Sequence, residues 1–140
     1  MVDEFLMIAR LLLAGVLGAL VGFQRETAGK AAGIRTLALI SIGAALFTML
    51  SMFAFNTPDP ARLAANIVTG IGFLGAGTII LRRDEGIVEG MTTAATIWVS
   101  AAIGVAAGTG LYLIAGGATV IVLGVLMLPH THTEQGSKKK

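Results

Sequence analysis

The sequence predicts an all-α membrane protein with five transmembrane helices, because its composition is apolar and its apolar segments are long. Of its 140 residues, 55% are hydrophobic and 13% are charged, and the mean hydropathy is +0.85. Soluble domains carry about 25% charged residues, so this chain has too few charges to cover a water-facing surface. The lack of cysteine excludes a disulfide framework. The small net charge of +2 does not favour nucleic-acid binding.

Five apolar segments approach or reach the roughly 20 residues that a helix needs to cross a bilayer. They are Phe5 to Phe23, Ile34 to Phe55, Leu63 to Leu81, Met91 to Ala107, and Leu111 to Leu128. Strands are not expected, because these continuous segments are about twice as long as those of a membrane barrel. Residues 1–128 are therefore predicted to form one transmembrane domain. Residues 129–140 form a polar cytoplasmic tail that we expect to be disordered and to hold no metal.

The charged residues predict the orientation, because an excess of lysine and arginine marks cytoplasmic loops. One set of loops is basic and the other is largely acidic. The basic set contains Arg25, Lys30, Arg35, Arg82, Arg83 and the three C-terminal lysines, and the other set contains Asp3, Glu4, Asp59 and Arg62. The amino terminus is therefore predicted outside and the carboxyl terminus inside.

The third segment contains GIGFLG from Gly70 to Gly75, which matches the dinucleotide-binding pattern G-x-G-x-x-G. That pattern needs a preceding strand and a βαβ context, and a continuous apolar segment supplies neither. Small residues instead allow helices to approach closely in lipid. We therefore predict no cofactor, and helix packing at Gly18, Gly22, Gly70, Gly72, Gly75, Gly77 and Gly104.

A polar stripe enters the third segment. Asp59 is a suitable N-cap, and Arg62 and Asn66 are four residues apart, on the same helix face. Two interpretations stay open. Either the helix is capped, its arginine reaches the headgroups and Asn66 makes one interhelical hydrogen bond, or the stripe is a functional polar site facing the bundle interior.

A second polar group lies on the predicted cytoplasmic side. Arg25 and Glu26 end the first segment, and Arg35 begins the second. Thr92 and Thr93 begin the fourth, where we expect their hydroxyls to cap the helix. The group is either a solvated collar of charges or a surface for docking or ion sensing. Further along the fourth segment, Trp98 is expected in the core.

Four ordered blocks resemble the membrane domain of the MgtC/SapB family. They are GALVGFQRE, AGIRTLALISIGAALF, DPARLAANIVTGIGFLGAGTII and GMTTAATIWVSAAIGVAAG. The resemblance covers about Gly15 to Gly110. The family pattern falls on Gly18, Gly22, Arg25, Gly33, Arg35, Thr36, Asp59, Arg62, Gly70, Gly72, Gly75, Gly77, Thr92, Thr93 and Trp98.

The resemblance implies a multi-pass protein of the bacterial inner membrane that is linked to magnesium homeostasis and growth at low magnesium. Some members support survival inside host phagocytes, and one acts on the membrane-embedded ATP synthase. The sequence departs from the family at Gln24, where a glutamate is usual, and at Asn66, where a glutamine is usual. Many members continue into a soluble domain, and the expectation here is the membrane domain alone.

Two functions follow as expectations, and neither is enzymatic. The first is support of magnesium homeostasis through membrane protein partners. The alternative is a small transporter or channel for Mg²⁺ or another solute. A wet cavity lined by Asp59, Arg62, Asn66 and Arg35 would favour transport, whereas a dry bundle with an exposed stripe of small residues would favour an interaction protein. We also expect a homodimer, in contact with membrane lipid, that hides Arg10, Arg35 and Asn66 from lipid.

Overall fold

The computed structural model describes residues 3–54, 59, 61–82 and 86–129, which form five helices and one short hairpin. The predicted residues Arg83, Asp84, Glu85 and His130 to Lys140, and with them the tail, lie outside this range. The elements are α1 (Glu4–Thr27), α2 (Ile34–Phe53), α3 (Ala61–Ala76), β1 (Ile80–Arg82), β2 (Ile87–Glu89), α4 (Met91–Thr109) and α5 (Tyr112–Leu126).

The five predicted segments all contain a helix, but the helices differ in length. Among the described residues, α1, α2 and α4 are long and apolar enough to cross a membrane. By contrast, α3 has 16 residues and α5 has 15, fewer than the roughly 20 that a perpendicular crossing needs. The structure therefore establishes an all-helical architecture with three clear candidate spans.

The third segment departs from the prediction, because the helix ends at Ala76 and the chain turns into a β-hairpin. Both the helical assignment of Ile80 and Leu81 and the expectation of no strands were wrong. The Thr78 hydroxyl donates to the carbonyl of Gly75 at 2.7 Å and closes the last turn. Apolar content alone cannot distinguish this short strand from the end of a helix.

Helices α1, α2 and α4 form the core and meet through glycines. A Cβ on Gly18 would lie 2.5 Å from the carbonyl oxygen of Leu37, and one on Gly22 would lie 2.6 Å from the Cα of Ile34. Gly104 touches the backbone of Ser41 in the same way. Such contacts leave no space for side chains between the helices, as expected for packing in lipid.

Helix α3 is peripheral. It packs chiefly on α4, where Gly75 lies against Ala94, and Gly75 is the buried residue of this helix. Among the described residues, a Cβ on Gly70 or Gly72 would have no atom within 4 Å, so the packing role of these two glycines stays a prediction. Gly77 lies in the turn after α3, next to the carbonyls of Phe73 and Leu74.

The outer surface is apolar, as a membrane-facing surface must be. Phe73 is 82% exposed and Leu113 is 90% exposed. Trp98, which we expected in the core, is 52% exposed. The reason is that lipid is as apolar as a core, so hydrophobicity does not decide which face of a membrane helix turns inward.

The bundle has two ends, which we name after their arginines. At the Arg10 end, α1 and α3 begin and α4 is joined to α5. At the Arg25 end, α1 ends and α2 and α4 begin. The hairpin is also at this end. The basic set predicted for one side, represented by Arg25, Lys30 and Arg35, is at the Arg25 end.

Candidate functional site

The principal polar site lies at the Arg25 end, where α1 meets the first turn of α4. Arg25 is only 4% exposed although it is two residues from the end of α1. Its Nη2 donates to the Thr93 hydroxyl at 2.5 Å, whereas its buried Nε has no hydrogen-bond partner in the part of the chain that the structure describes. Burying a charge without full compensation is costly, so this arginine is an unusual feature of the bundle.

Thr93 therefore acts differently from the prediction. No side chain among the described residues caps α4, and the Thr93 hydroxyl accepts from Arg25 instead. Thr92 is exposed on the same turn, and its carbonyl accepts from the Thr96 hydroxyl at 2.7 Å. The capping prediction failed because the N-cap position is Gly90, one residue before the helix begins.

Gly90 occupies that position for a steric reason. Its φ of 91° is left-handed, and a Cβ there would overlap the carbonyl oxygen of Thr78. Glycine adopts this conformation at little cost, and other residues do not. The close approach between the turn after α3 and the start of α4 thus removes the side chain that would normally satisfy the first N–H groups of a helix.

Glu26 is next to Arg25 but serves another helix. Its Oε2 accepts from the Ile34 N–H at 3.1 Å, at the beginning of α2. A carboxylate is favourable at this position because the N-terminus of a helix carries partial positive charge. Arg35 lies exposed in the same first turn, so Glu26 and Arg35 frame the start of α2.

At the Arg10 end, the polar stripe begins as predicted with a capping contact. Asp59 Oδ1 accepts from the Ala61 N–H at 3.1 Å. Arg62 and Asn66 are exposed. The Thr69 hydroxyl donates to the carbonyl of Ala65 in the same helix. The stripe therefore follows an exposed side of α3.

A groove of about 530 Å³ separates α2 from α3. Its lining is apolar apart from the amide of Asn66. It contains Leu39, Ile40, Gly43, Ala44, Phe47, Leu63, Asn66, Ile67, Gly70, Ile71 and Leu74. Asp59, Arg62 and Arg35 do not line this groove, and Arg35 lies at the opposite end of the bundle from Asp59. The described residues therefore do not form the wet cavity that would favour transport.

Two features of the core were not predicted from the sequence. Arg10 donates from Nε to the Tyr112 hydroxyl and from Nη1 to the Gly108 carbonyl, each at 3.0 Å. Ser41 and Ser100 are fully buried, with hydroxyl oxygens that have no partner. The sequence signals for these features were a single arginine and isolated serines within apolar segments.

Arg10 also corrects part of the argument for a dimer. Its guanidinium lies 6.0 Å from the ring centroid of Phe53 and 5.9 Å from that of Tyr112. These contacts and its two hydrogen bonds satisfy it inside one chain. Association is therefore not needed to shield Arg10 from lipid.

These features define a membrane-embedded helical bundle with a tight glycine-lined core and a peripheral third helix. Residues 11–134 match the model of the MgtC family, and the chain belongs to that family. It is 50% identical to the protein MgtC of Salmonella typhimurium LT2, over 83% of this chain and 49% of that protein.

A second relative is YhiD of Escherichia coli K12, which is provisionally named a magnesium transporter. It is 43% identical, over 95% of this chain and 64% of YhiD. A protein of Haemophilus influenzae is 42% identical, over 86% of this chain and 54% of that protein. The chain thus spans about half to two thirds of the length of these relatives. No solved structure matches it.

Proposed function

We propose that the protein supports magnesium homeostasis in the bacterial inner membrane by binding another membrane protein through the groove between α2 and α3. The observation that carries the proposal is the open glycine surface of that groove. A Cβ on Gly43 or Gly70 would meet no atom within 4 Å, and both residues line the groove. Small residues allow an incoming helix to pack closely.

Asn66 supplies a polar contact for such a helix. It is exposed and, among the described residues, is the one polar side chain lining the groove. In lipid, an amide gains by bonding to a partner helix, with interhelical hydrogen bonds worth about 0.6 to 2 kcal/mol. The proposed partner is a different membrane protein. Cross-linking to a second copy of the chain would instead support the expected homodimer.

The test uses Gly70→Leu, because Gly70 lines the groove and a Cβ there would have no atom within 4 Å. Its matched control is Gly117→Leu on α5, because Gly117 is also an exposed helical glycine with no atom within 4 Å of its Cβ position. Both variants should reach the membrane. We expect Gly70→Leu to lose growth at low magnesium and to lose its cross-linked membrane partner, while Gly117→Leu keeps both.

Transport of Mg²⁺ is the second candidate, favoured by the name of the YhiD relative. Flux of Mg²⁺ into liposomes that contain the pure protein tests it directly. Flux that persists in Gly70→Leu would support a transporter and contradict the role of the groove. Lack of flux together with the growth defect would support the interaction protein.

A further inference from the structure

We propose that Arg25 and the first turn of α4 bind a phosphate group, and that its position favours the phosphodiester of an anionic lipid headgroup. The ligand site consists of the Arg25 guanidinium, the Thr93 hydroxyl and the N–H groups at Met91, Thr92 and Thr93. This inference does not depend on the role in magnesium homeostasis.

The first support is the buried, incompletely bonded guanidinium. Arg25 is 96% buried, and its Nη2 contact with Thr93 places it against the first turn of α4. Its Nε donor has no hydrogen-bond partner among the residues that the structure describes. An anion that accepts from this group would remove the cost of the unpaired donor and of the buried charge.

The second support is the beginning of α4. The first intrahelical hydrogen bond there joins the Ala94 N–H to the carbonyl of Gly90 at 2.9 Å. The N–H groups of the first turn have no partner within a helix, and Gly90 has no side chain to accept from them. This 19-residue helix also directs partial positive charge toward the site, so N–H groups and dipole together favour an anion.

The two supports reinforce each other electrostatically. A guanidinium and a helix N-terminus are both positive, so their contact is unfavourable unless an anion lies between them. Within the part of the chain that the structure describes, the adjacent carboxylate of Glu26 is committed to Ile34. Glu89, which precedes Gly90, is exposed and has an interaction of its own.

A phosphate fits this donor set because arginine presents a planar fork of donors and the helix adds aligned N–H groups. The location indicates the source. Glu26, Thr27 and Lys30 next to the site are exposed, and α1 and α4 are two of the candidate membrane spans. Their ends lie where lipid headgroups are found.

The test titrates the full chain, in an uncharged detergent, with dihexanoyl phosphatidylglycerol, dihexanoyl phosphatidylcholine or inorganic phosphate at matched ionic strength. Thermal unfolding reports binding. We expect phosphatidylglycerol to stabilise the protein more than phosphatidylcholine. Competition by inorganic phosphate would assign the site to free phosphate, and lack of competition would assign it to the headgroup. Either result supports a phosphate site.

Variants decide whether Arg25 is responsible. Arg25→Gln should weaken binding by about tenfold or more, since bonds to charged groups contribute about 1.5 to 3 kcal/mol. The matched control Lys30→Gln, which removes an exposed charge at the same end, should change it less than about threefold. If Arg25→Gln does not fold, Arg25→Lys serves as the second variant. It keeps the charge but loses the planar guanidinium donors, and should bind the lipid more weakly than the wild type does.

Two results would overturn the proposal. The first is binding by Arg25→Gln or by Arg25→Lys with wild-type affinity. The second is a wild-type protein that binds neither lipid nor phosphate.

Discussion

The backbone carbonyl of Ser41 on α2 lies directly against Gly104 on α4, where any side chain at residue 104 would overlap it. The neighbouring backbone carbons are also too close for a side chain at residue 104, because the Cα and C of Ser41 would each be 2.9 Å from a Cβ on Gly104. This contact joins two of the three candidate spans at the centre of the bundle.

We expect Gly104→Ala to destabilise the protein by about 1 to 3 kcal/mol, the usual cost of forcing atoms into a packed core. Gly72→Ala is the control, because it makes the same substitution in a helix where no atom lies within 4 Å. It should be neutral or stabilising by up to about 1 kcal/mol, owing to helix propensity. Thermal unfolding in detergent measures both. Equal effects would mean that α2 and α4 do not meet at Gly104.

Arg10→Met should destabilise the Arg10 end by about 1 to 3 kcal/mol. It leaves the carbonyl of Gly108 and the hydroxyl of Tyr112 without their donor. Tyr112→Phe removes a single hydrogen bond and should cost about 0.5 to 1.5 kcal/mol. A double-mutant cycle measures the coupling between the two side chains, and additive effects would contradict their contact.

Asp59→Asn tests whether this carboxylate is more than a helix cap. Asparagine caps as well as aspartate, so stability should be unchanged, whereas Asp59→Ala should lose about 1 kcal/mol. If the charge has a function, Asp59→Asn will reach the membrane and yet fail to support growth at low magnesium. Adding Arg62→Gln should not restore that growth. Normal growth of the single variant would leave Asp59 with its capping contact to Ala61 alone.

The number and direction of the crossings can be measured with single cysteines, since the chain has none. For five spans with the amino terminus outside, cysteines at Ala61 and Leu111 should react with an impermeant reagent added outside. Cysteines at Lys30 and Pro129 should react only after the membrane is opened. Labelling of Ala61 and Pro129 from the same side would show that the chain between them crosses an even number of times, and five spans would be wrong.

Glu26→Ala should destabilise the start of α2 by about 0.5 to 2 kcal/mol, because the Ile34 N–H loses its acceptor. Glu26→Gln keeps an acceptor but loses the charge, and should cost about 0.3 to 1 kcal/mol. Circular dichroism followed by thermal unfolding measures the difference. An effect of Glu26→Gln equal to that of Glu26→Ala would assign the whole contribution to charge.

The helices were predictable from the sequence because long apolar segments have few alternatives in a membrane. The start of α2 at Ile34 and of α4 at Met91 agreed with the predicted segments. The hairpin was not predictable, since Ile80 continues an apolar segment. Its strand pairing with Glu89 is determined by the tertiary structure. Such pairing depends on residues that are distant in sequence.

The site was predictable in its residues but not in its contacts. Arg25 and Thr93 were both candidates, yet their hydrogen bond joins residues 68 positions apart. The capping expectation for Thr93 followed from local preference, and the steric requirement at Gly90 overrode it. Likewise, Gly70 and Gly104 have the same local appearance, and only the arrangement of helices shows that one is open and the other closed.

Because Trp98 faces outward, its fluorescence can report how deeply the middle of α4 lies in a bilayer. It is the one tryptophan of the chain, and it lies near the middle of α4. Its emission should be blue-shifted in a bilayer and quenched most strongly by lipids brominated deep in the acyl chains. A companion molecule that covers this face would shield the indole from the bromines, so contacts of α4 can be followed without attaching a dye.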